Sequence, residues 1–330
     1  MSAWPLFTAD SDPHERIDEL PAPPPWRCFD GAVARERRLP DGTDDDPFAE
    51  SSERARTFRA TSAMVETVNA SLFLRRPLLV TGRPGSGKSS LIYAVARQLK
   101  LGRVLRWPIT SRSTLQHGLY QYDAIGRLQD AQRKKQETEI GRYLELGPLG
   151  TALLPTSRPR ALLIDEIDKS DIDLPNDLLN VFEEGEYSIP ELARLDLETV
   201  DVRTFGSAES FPITRGLVRC REFPFVVLTS NGEREFSPAF LRRCIRMEMP
   251  QPDDKELAAI VESHLGPELA REAGALISEF WRLRGTRALA TDQLLNAAFL
   301  VIGANGPSSA TERDYIKEAL LHELSEGSLR

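Results

Sequence analysis

One stretch of the chain combines glycine, lysine and serine at a spacing that can bind a phosphate group. Residues 82–89 read Gly-Arg-Pro-Gly-Ser-Gly-Lys-Ser, which matches the pattern G-x-x-x-x-G-K-[ST]. Glycines permit positive φ angles and a close approach to a ligand, and N–H groups at the start of a helix attract an anion. Lys88 is expected to reach the β- and γ-phosphates, and the Ser89 hydroxyl to bind Mg²⁺. The predicted nucleotide contacts are Gly82, Arg83, Pro84, Gly85, Ser86, Gly87, Lys88, Ser89 and Ser90.

The residues on either side of this loop predict the strand and the helix that a phosphate loop connects. Residues 77–81 are an apolar run that is typical of a buried parallel strand. In residues 90–99, Leu91, Val95 and Leu99 recur every four positions, as on one face of a helix. The order strand, loop, helix therefore agrees with a phosphate-binding site.

Two acidic residues end a second apolar run. Residues 161–164 are Ala-Leu-Leu-Ile, and Asp165 and Glu166 follow them. In open α/β sheets the carboxyl ends of the strands face the ligand crevice. Asp165 is predicted to hold Mg²⁺, directly or through water, and Glu166 to orient and polarise the attacking water.

A third apolar run, residues 223–228, is followed by Thr229, Ser230 and Asn231. An Asn before Gly232 is by itself only a turn residue. At the end of a buried strand, however, Asn231 is placed to hydrogen-bond the γ-phosphate or the attacking water.

Composition and charge narrow the class of protein. The 330 residues carry a net charge of −8, and residues 1–50 hold twelve acidic and five basic side chains. The nearly neutral remainder argues against nucleic acid as a partner, because such binding needs a basic face. No apolar run approaches the roughly 18 residues of a membrane span, and the N-terminus lacks the order of a signal peptide. We therefore expect a cytoplasmic protein, and the scattered cysteines and histidines indicate neither disulfides nor zinc.

Three regions are predicted along the chain. Residues 1–50, which contain eight of the 23 prolines, are expected to be a flexible acidic segment. Residues 51–250 are the nucleotide-binding domain with insertions, and residues 251–330 are a helical domain. Within the middle region we expect a helix over 51–74 capped by Ser52 and an exposed charged helix over 123–138. Residues 186–222 are expected to be irregular or hairpin-like, with strand candidates at 187–190 and 213–221.

The three motifs together resemble the AAA+ ATPases, and specifically their MoxR-like branch, over about residues 60–330. The phosphate loop at 82–89 corresponds to Walker A, Asp165 and Glu166 to Walker B, and Asn231 to sensor 1. The resemblance implies an α/β fold: an AAA+ αβα sandwich with a five-stranded parallel sheet, followed by a small all-α lid domain. The hairpins after residue 186 and the charged stretch near 113–146 look like insertions of that branch.

The resemblance also implies two kinds of arginine in the site. One reaches into the neighbouring subunit; Arg243 matches it best and Arg242 second, and the doublet leaves the assignment open. The other is the basic sensor 2 of the lid, which Arg287 matches. There Arg replaces the Lys of the family pattern, and Leu289 and Ala290 replace its Pro and Ser.

Three functions are compatible with these residues. The first is an ATP-hydrolysing remodeller that binds ATP and Mg²⁺ between subunits of a homo-oligomeric ring, which the resemblance implies is a hexamer. Its expected partner is a protein with a von Willebrand A domain. The second is a slowly hydrolysing switch in a bacterial defence or signalling complex, with residues 1–50 as its docking arm. The third is a GTP-dependent restriction motor, which the absence of a recognisable nucleic-acid-binding domain disfavours.

Overall fold

The computed structural model describes residues 4–9, 12–31, 55–134, 139–284, 289–303, 306–307 and 309–321. By Cα proximity the chain divides into two units. The first comprises the residues up to Ala55, Ala60–Thr81 and Ser89–Met247. The second comprises Arg56–Arg59, the loop Gly82–Lys88 and the residues from Glu248 onward. None of the helices in the described ranges is long and apolar enough to cross a bilayer.

The strands are short, and helices or 3₁₀ turns separate most of them along the chain up to β7. They are β1 Leu78–Thr81, β2 Leu105–Pro108, β3 Tyr120–Tyr122, β4 Leu144–Leu146, β5 Ala161–Asp165, β6 Glu186–Ser188, β7 Thr199–Arg203, β8 Ser210–Thr214, β9 Leu217–Arg219, β10 Phe225–Ser230 and β11 Ile245–Glu248.

The longer helices lie between the strands of the first unit and throughout the second unit. They are α1 Ser62–Leu74, α2 Lys88–Gln98, α3 Leu115–Leu119, α4 Ala124–Lys134, α5 Pro148–Ala152, α6 Leu174–Glu184, α7 Pro190–Ala193, α8 Pro238–Leu241, α9 Asp254–Leu265, α10 Pro267–Glu272, α11 Gly274–Arg284, α12 Thr291–Ile302 and α13 Ala310–Leu320. Four further segments form single 3₁₀ turns: Arg16–Glu19, Pro25–Arg27, Ile140–Tyr143 and Ile167–Lys169.

Within the described residues, the central sheet of the first unit has five strands in the order β11-β1-β10-β5-β2. The pairings of β1 with β10, β10 with β5 and β2 with β5 are parallel. Every residue of β5 and β10 is buried, as expected for strands covered on both faces. Since each fully buried Leu or Val contributes about 1.5–3 kcal/mol, these apolar runs stabilise the pairing of the two strands in the observed register. That register puts the ends of β5 and β10 side by side, with Leu228 opposite Ile164.

A second sheet of the first unit contains six of the described strands in the order β3-β4-β7-β8-β9-β6. Its pairs are antiparallel apart from the single β4–β7 bridge. The expected hairpin region therefore does contain strands, but β7 was not predicted. In β7, Val200 and Val202 alternate with polar residues, a period-two signal of only two apolar positions. Of the two, only Val202 is buried.

The N-terminal segment differs from the flexible segment expected over residues 1–50. Leu6, Phe7 and Ile17 are buried. The Asn69 side chain accepts hydrogen bonds from the backbone N–H groups of Leu6 and Phe7 at 2.7 and 3.0 Å. Residues 4–9 and 12–31 thus pack on the first unit despite their proline content, whereas residues 32–50 lie outside the described range.

The helix predicted over 51–74 is interrupted. Residues 55–57 are helical and residues 58–60 are not. Helix α1 then starts after Thr61, whose side chain accepts from the Met64 N–H, whereas Ser52, the predicted cap, lies outside the described residues. A Thr hydroxyl that bonds the third following N–H satisfies a donor that the helix leaves free, so it fixes the start of the helix. The charged helix predicted over 123–138 is α4, and residues 135–138 are outside the described range.

From Asp254 onward, the described residues of the second unit form the helices α9 to α13. Asp253 and Glu256 form a reciprocal capping box that starts α9. Its core is built from the apolar faces of these helices, with Leu257, Val261, Ile277, Phe280 and Leu294 nearly or fully buried. The division between the units after Met247 falls close to the predicted boundary at residue 250.

Candidate functional site

The phosphate loop has the backbone that its sequence requires. Gly85 and Gly87 have φ angles of +70° and +86°, which side-chain-bearing residues rarely adopt. A Cβ at Gly85 would also lie 2.6 Å from the Cβ of Ala290. The ammonium group of Lys88 donates hydrogen bonds to the carbonyl oxygens of Gly82 and Arg83, at 2.7 and 2.9 Å. The loop therefore surrounds its lysine with its own backbone.

Ser89, the next residue along the chain, contacts Asp165, the predicted Walker B aspartate. Its Oγ donates to Oδ1 of Asp165 at 2.8 Å. Oδ1 also accepts from the Thr229 hydroxyl at 2.8 Å, and Thr229 in turn accepts from the N–H of Glu166 at 2.8 Å. Parallel pairing of β5 and β10 brings these groups together, so the central sheet positions them.

Arg106 on β2 occupies the other oxygen of Asp165. Its Nη2 and Nε lie 2.8 and 3.3 Å from Oδ2. Burial raises the pKa of Asp165, but the hydrogen bonds from Arg106, Thr229 and Ser89 outweigh that effect and hold the pKa below its usual value. The hydrogen bond to Asp165 likewise raises the pKa of Arg106. Asp165 is therefore an ionised carboxylate with donors on both oxygens.

Glu166 stands at the tip of β5 in a strained backbone conformation. Its φ and ψ are +62° and +52°, a left-handed conformation that is uncommon for a residue with a side chain. The Lys169 ammonium lies 2.9 Å from Oε2, and Nδ2 of Asn231 lies 3.4 Å from Oε1. The structure thus brings the predicted water-activating carboxylate and the predicted sensor 1 amide together.

A buried carboxylate anchors the loop that carries Asn231. Oδ2 of Asp168 accepts from the N–H groups of Asn231 and Glu233, at 2.8 and 3.2 Å. Asp168 belongs to the 3₁₀ turn that follows Glu166 and is 5% exposed. It therefore ties the end of β10 to the end of β5 and holds Asn231 beside Glu166.

Sequence reasoning assigns no role to Thr229, Arg106, Asp168 or Lys169. Thr229 and Asp168 lie in or directly after the recognised motifs. A polar side chain at the end of a buried apolar run could have indicated that each belongs to the site. Lys169 was visible as the basic residue three positions after Glu166, one helical turn away. Arg106 had no such signal, because it reaches Asp165 only through the pairing of β2 with β5.

The two candidate finger arginines differ in their surroundings. Nε of Arg243 lies 2.7 Å from Oε1 of Glu183, and its Nη1 donates to the Ala239 carbonyl. Arg242 is exposed. Both line a groove of about 660 Å³ whose walls also include Arg76, Asn176, Asn180 and Glu183. Arg287, the sensor 2 candidate, lies outside the described residues.

The oxygen donors at Ser89 and Asp165 suit a magnesium ion that arrives with a nucleotide. Mg²⁺ prefers oxygen ligands, keeps several waters and is usually held by one or two carboxylates plus substrate phosphates. Among the described residues no group of three or more His, Cys, Asp or Glu side chains could hold a metal by itself. A site made of one hydroxyl and one ionised carboxylate therefore fits the magnesium of a Mg²⁺–nucleotide complex.

The parallel five-stranded sheet, the phosphate loop after β1 and the carboxylates at the end of β5 define an AAA+ P-loop NTPase fold. The profile of the AAA domain family, dynein-related subfamily, matches residues 77–244, which is half of the chain. The chain belongs to this family, whose domain binds a nucleotide. Among solved structures, it is similar to one titled "Structure of C. elegans PCH-2", with 16% identity and a TM-score of 0.41, over 82% of this chain and 71% of that one. A search of curated proteins found no match.

Proposed function

We propose that this protein is a MoxR-like AAA+ ATPase that binds ATP with Mg²⁺ between the subunits of a ring and remodels or activates a partner protein. The observation that carries the proposal is the hydrogen-bonded group Ser89–Asp165–Thr229 with Glu166 beside it. Hydrolysis of a phosphoanhydride requires oxygen ligands for a metal and a carboxylate that can reach the attacking water, and these residues could supply both.

Each residue of the site has a separate task in this proposal. The loop N–H groups and Lys88 bind the phosphates, and Ser89 and Asp165 hold the metal, which neutralises charge on the transferred phosphoryl group. Glu166 accepts a hydrogen bond from the attacking water and orients it, while Asn231 positions that water or the γ-phosphate. Glu166 can turn toward water because its side chain is 41% exposed.

The surroundings of the arginine pair support Arg242 as the group that reaches a neighbouring subunit. Arg243, the better match by sequence, is held by Glu183 and by the Ala239 carbonyl. An arginine supplied in trans contributes about 10³–10⁵ in rate, so it must be able to extend from the surface. Arg242 meets that condition, and Arg243 then positions the end of α8. Arg287 is kept as the proposed sensor 2 on the resemblance alone.

The partner and the assembly rest on the resemblance to MoxR-like proteins. That resemblance favours a hexamer, a chaperone-like action and a partner that bears a von Willebrand A domain. The alternative is a switch that hydrolyses slowly, since the same residues can support slow or fast turnover.

Particle imaging combined with phosphate-release assays tests the proposal. We expect rings in the presence of a slowly hydrolysed ATP analogue and ATP turnover that requires Mg²⁺. A protein that stays monomeric and binds no nucleotide at millimolar concentration would refute it. Turnover that rises strongly only on adding a partner would instead favour the switch.

Mixed rings test the arginine assignment. Neither Lys88→Ala nor Arg242→Ala subunits should hydrolyse ATP alone, but an equimolar mixture should regain part of the activity because an intact loop then faces an intact arginine. The matched variant Arg243→Ala reports on the alternative. Rescue with Arg243→Ala but not with Arg242→Ala would return the finger role to Arg243.

A further inference from the structure

Arg106 contacts one oxygen of Asp165, the carboxylate that the proposed function assigns to the metal. Both oxygens of Asp165 have donors, but the donors differ in kind. Oδ1 accepts from two hydroxyl groups, Ser89 and Thr229, and a hydroxyl can accept from or ligate other groups at the same time. Among the residues that the structure describes, Oδ2 accepts only from Arg106, whose guanidinium has donors and no lone pair. The guanidinium therefore offers no ligand to a cation, and its positive charge, 2.8 Å from Oδ2, opposes a second cation at that oxygen.

We propose that Arg106 competes with the magnesium of the nucleotide complex for Asp165, and so sets how strongly nucleotide binding depends on the metal. This inference rests on the proposed function, because it assigns the metal to Ser89 and Asp165. With the guanidinium on Oδ2, the aspartate is neutralised and nucleotide phosphates approach it without strong repulsion. When the metal takes the carboxylate, the guanidinium leaves, since two cations at this distance repel each other.

The position of Arg106 allows that exchange. It lies on β2, an edge strand of the central sheet within the described residues, whose side chains alternate between buried and exposed. The Arg106 side chain is 54% exposed, whereas that of Asp165 is 11% exposed. The guanidinium can therefore turn into solvent at little cost, while Asp165 stays fixed by Ser89 and Thr229.

The same geometry argues against a purely structural role. An ion pair with a half-exposed arginine contributes only about 0–1 kcal/mol to stability. Tying down a carboxylate that two hydroxyl groups already hold would add little to the fold. The pair therefore has its main effect on the charge that a ligand meets at Oδ2.

Fluorescent ATP-analogue binding measures the effect directly. The dissociation constant is determined with Mg²⁺ and with EDTA. The value in EDTA divided by the value with Mg²⁺ is the ratio that measures the metal dependence. In Arg106→Gln we expect weaker binding in EDTA, unchanged or tighter binding with Mg²⁺, and a ratio about three- to tenfold larger than in the wild type. Arg106→Lys, which keeps a cation but loses the second donor, should give an intermediate ratio.

Arg103→Gln is the matched control, since Arg103 lies just before β2 and donates to the Gly206 carbonyl instead; its ratio should equal the wild-type value. A ratio in Arg106→Gln that is unchanged or smaller overturns the inference. A smaller ratio would show that Arg106 contacts the phosphates of the metal complex. If the wild type binds no nucleotide, the proposed function fails first. Circular dichroism and thermal unfolding in EDTA confirm that each variant is folded.

Discussion

Asp165 and Glu166 are consecutive residues, but they lie in two different environments of the same site. The Asp165 side chain is 11% exposed, and Ser89, Thr229 and Arg106 all donate to it. The Glu166 side chain is 41% exposed and contacts Lys169 on a short turn and Asn231 at a long distance. One carboxylate is held in place by the sheet, and the other projects beyond it.

This difference matches what the task proposed for each residue requires, metal binding for Asp165 and water activation for Glu166. A metal ligand loses affinity if it must be reorganised, so a fixed carboxylate suits it. A residue that activates water must adjust as the water approaches, so an exposed carboxylate on a strained residue suits that task. Mutations around buried Asp165 are therefore expected to lower mainly the stability of the fold. Mutations of exposed Glu166 are expected to lower mainly the rate of turnover.

The largest expected effect is at exposed Glu166. Glu166→Gln should retain nucleotide binding but reduce turnover by about 10²–10⁴-fold, because the amide cannot polarise the attacking water. Phosphate release and binding of a fluorescent analogue measure the two properties separately. The control Glu198→Gln, on the exposed turn before β7, should leave both unchanged. Undiminished hydrolysis by Glu166→Gln would remove the assigned role.

Thr229→Ala tests the surroundings of buried Asp165. It removes the donor to Asp165 and leaves the Glu166 N–H without its acceptor, so the free energy of unfolding should fall by about 1–3 kcal/mol. Thr229→Ser keeps the hydroxyl and is the matched control, with a smaller loss. Urea unfolding measures both. Equal stability of the alanine and serine variants would show that the hydroxyl holds nothing in place.

The pH dependence of stability tests the charge on Asp165. Because its folded pKa is lowered, its contribution is complete above the unfolded value of about 3.9 and is lost as pH falls through the folded pKa. Wild-type stability should therefore fall more steeply than that of Asp165→Asn below about pH 4. Urea unfolding between pH 3 and pH 6 gives the two curves, and parallel curves would contradict an ionised, stabilised Asp165.

The smallest expected change is at Lys169. Its pair with Glu166 is substantially exposed on both sides, so Lys169→Ala should alter the free energy of unfolding by no more than about 0.5 kcal/mol. Arg142→Ala breaks a comparable pair with Glu139 far from the site and is the control. A loss above 2 kcal/mol at Lys169 alone would mean that Glu166 is as rigidly held as Asp165, and the comparison would fail.

How much could be predicted from the sequence depended on how local each signal was. The phosphate loop and the acidic end of β5 are local patterns, and the sheet that brings them together follows from three buried apolar runs. Arg106 acts on a carboxylate 59 positions away, which only strand pairing reveals. The three-residue strands β3, β4 and β6 are too short to show a period of two. The proline-rich start was judged by composition, although its order depends on Asn69 and Gln98, which bond its backbone from α1 and α2.

That N-terminal segment has a consequence for anyone preparing the protein. Arg27, nearly buried, donates to carbonyls of Phe182 and Arg75, and Phe29 stacks on Phe223. A fragment cut at residue 77, where the family match begins, would lose these groups together with Leu6, Phe7 and Ile17. Such a fragment would expose apolar surface that these residues cover, and we expect it to precipitate more readily than the whole chain. Expression vectors should therefore include the N-terminal segment.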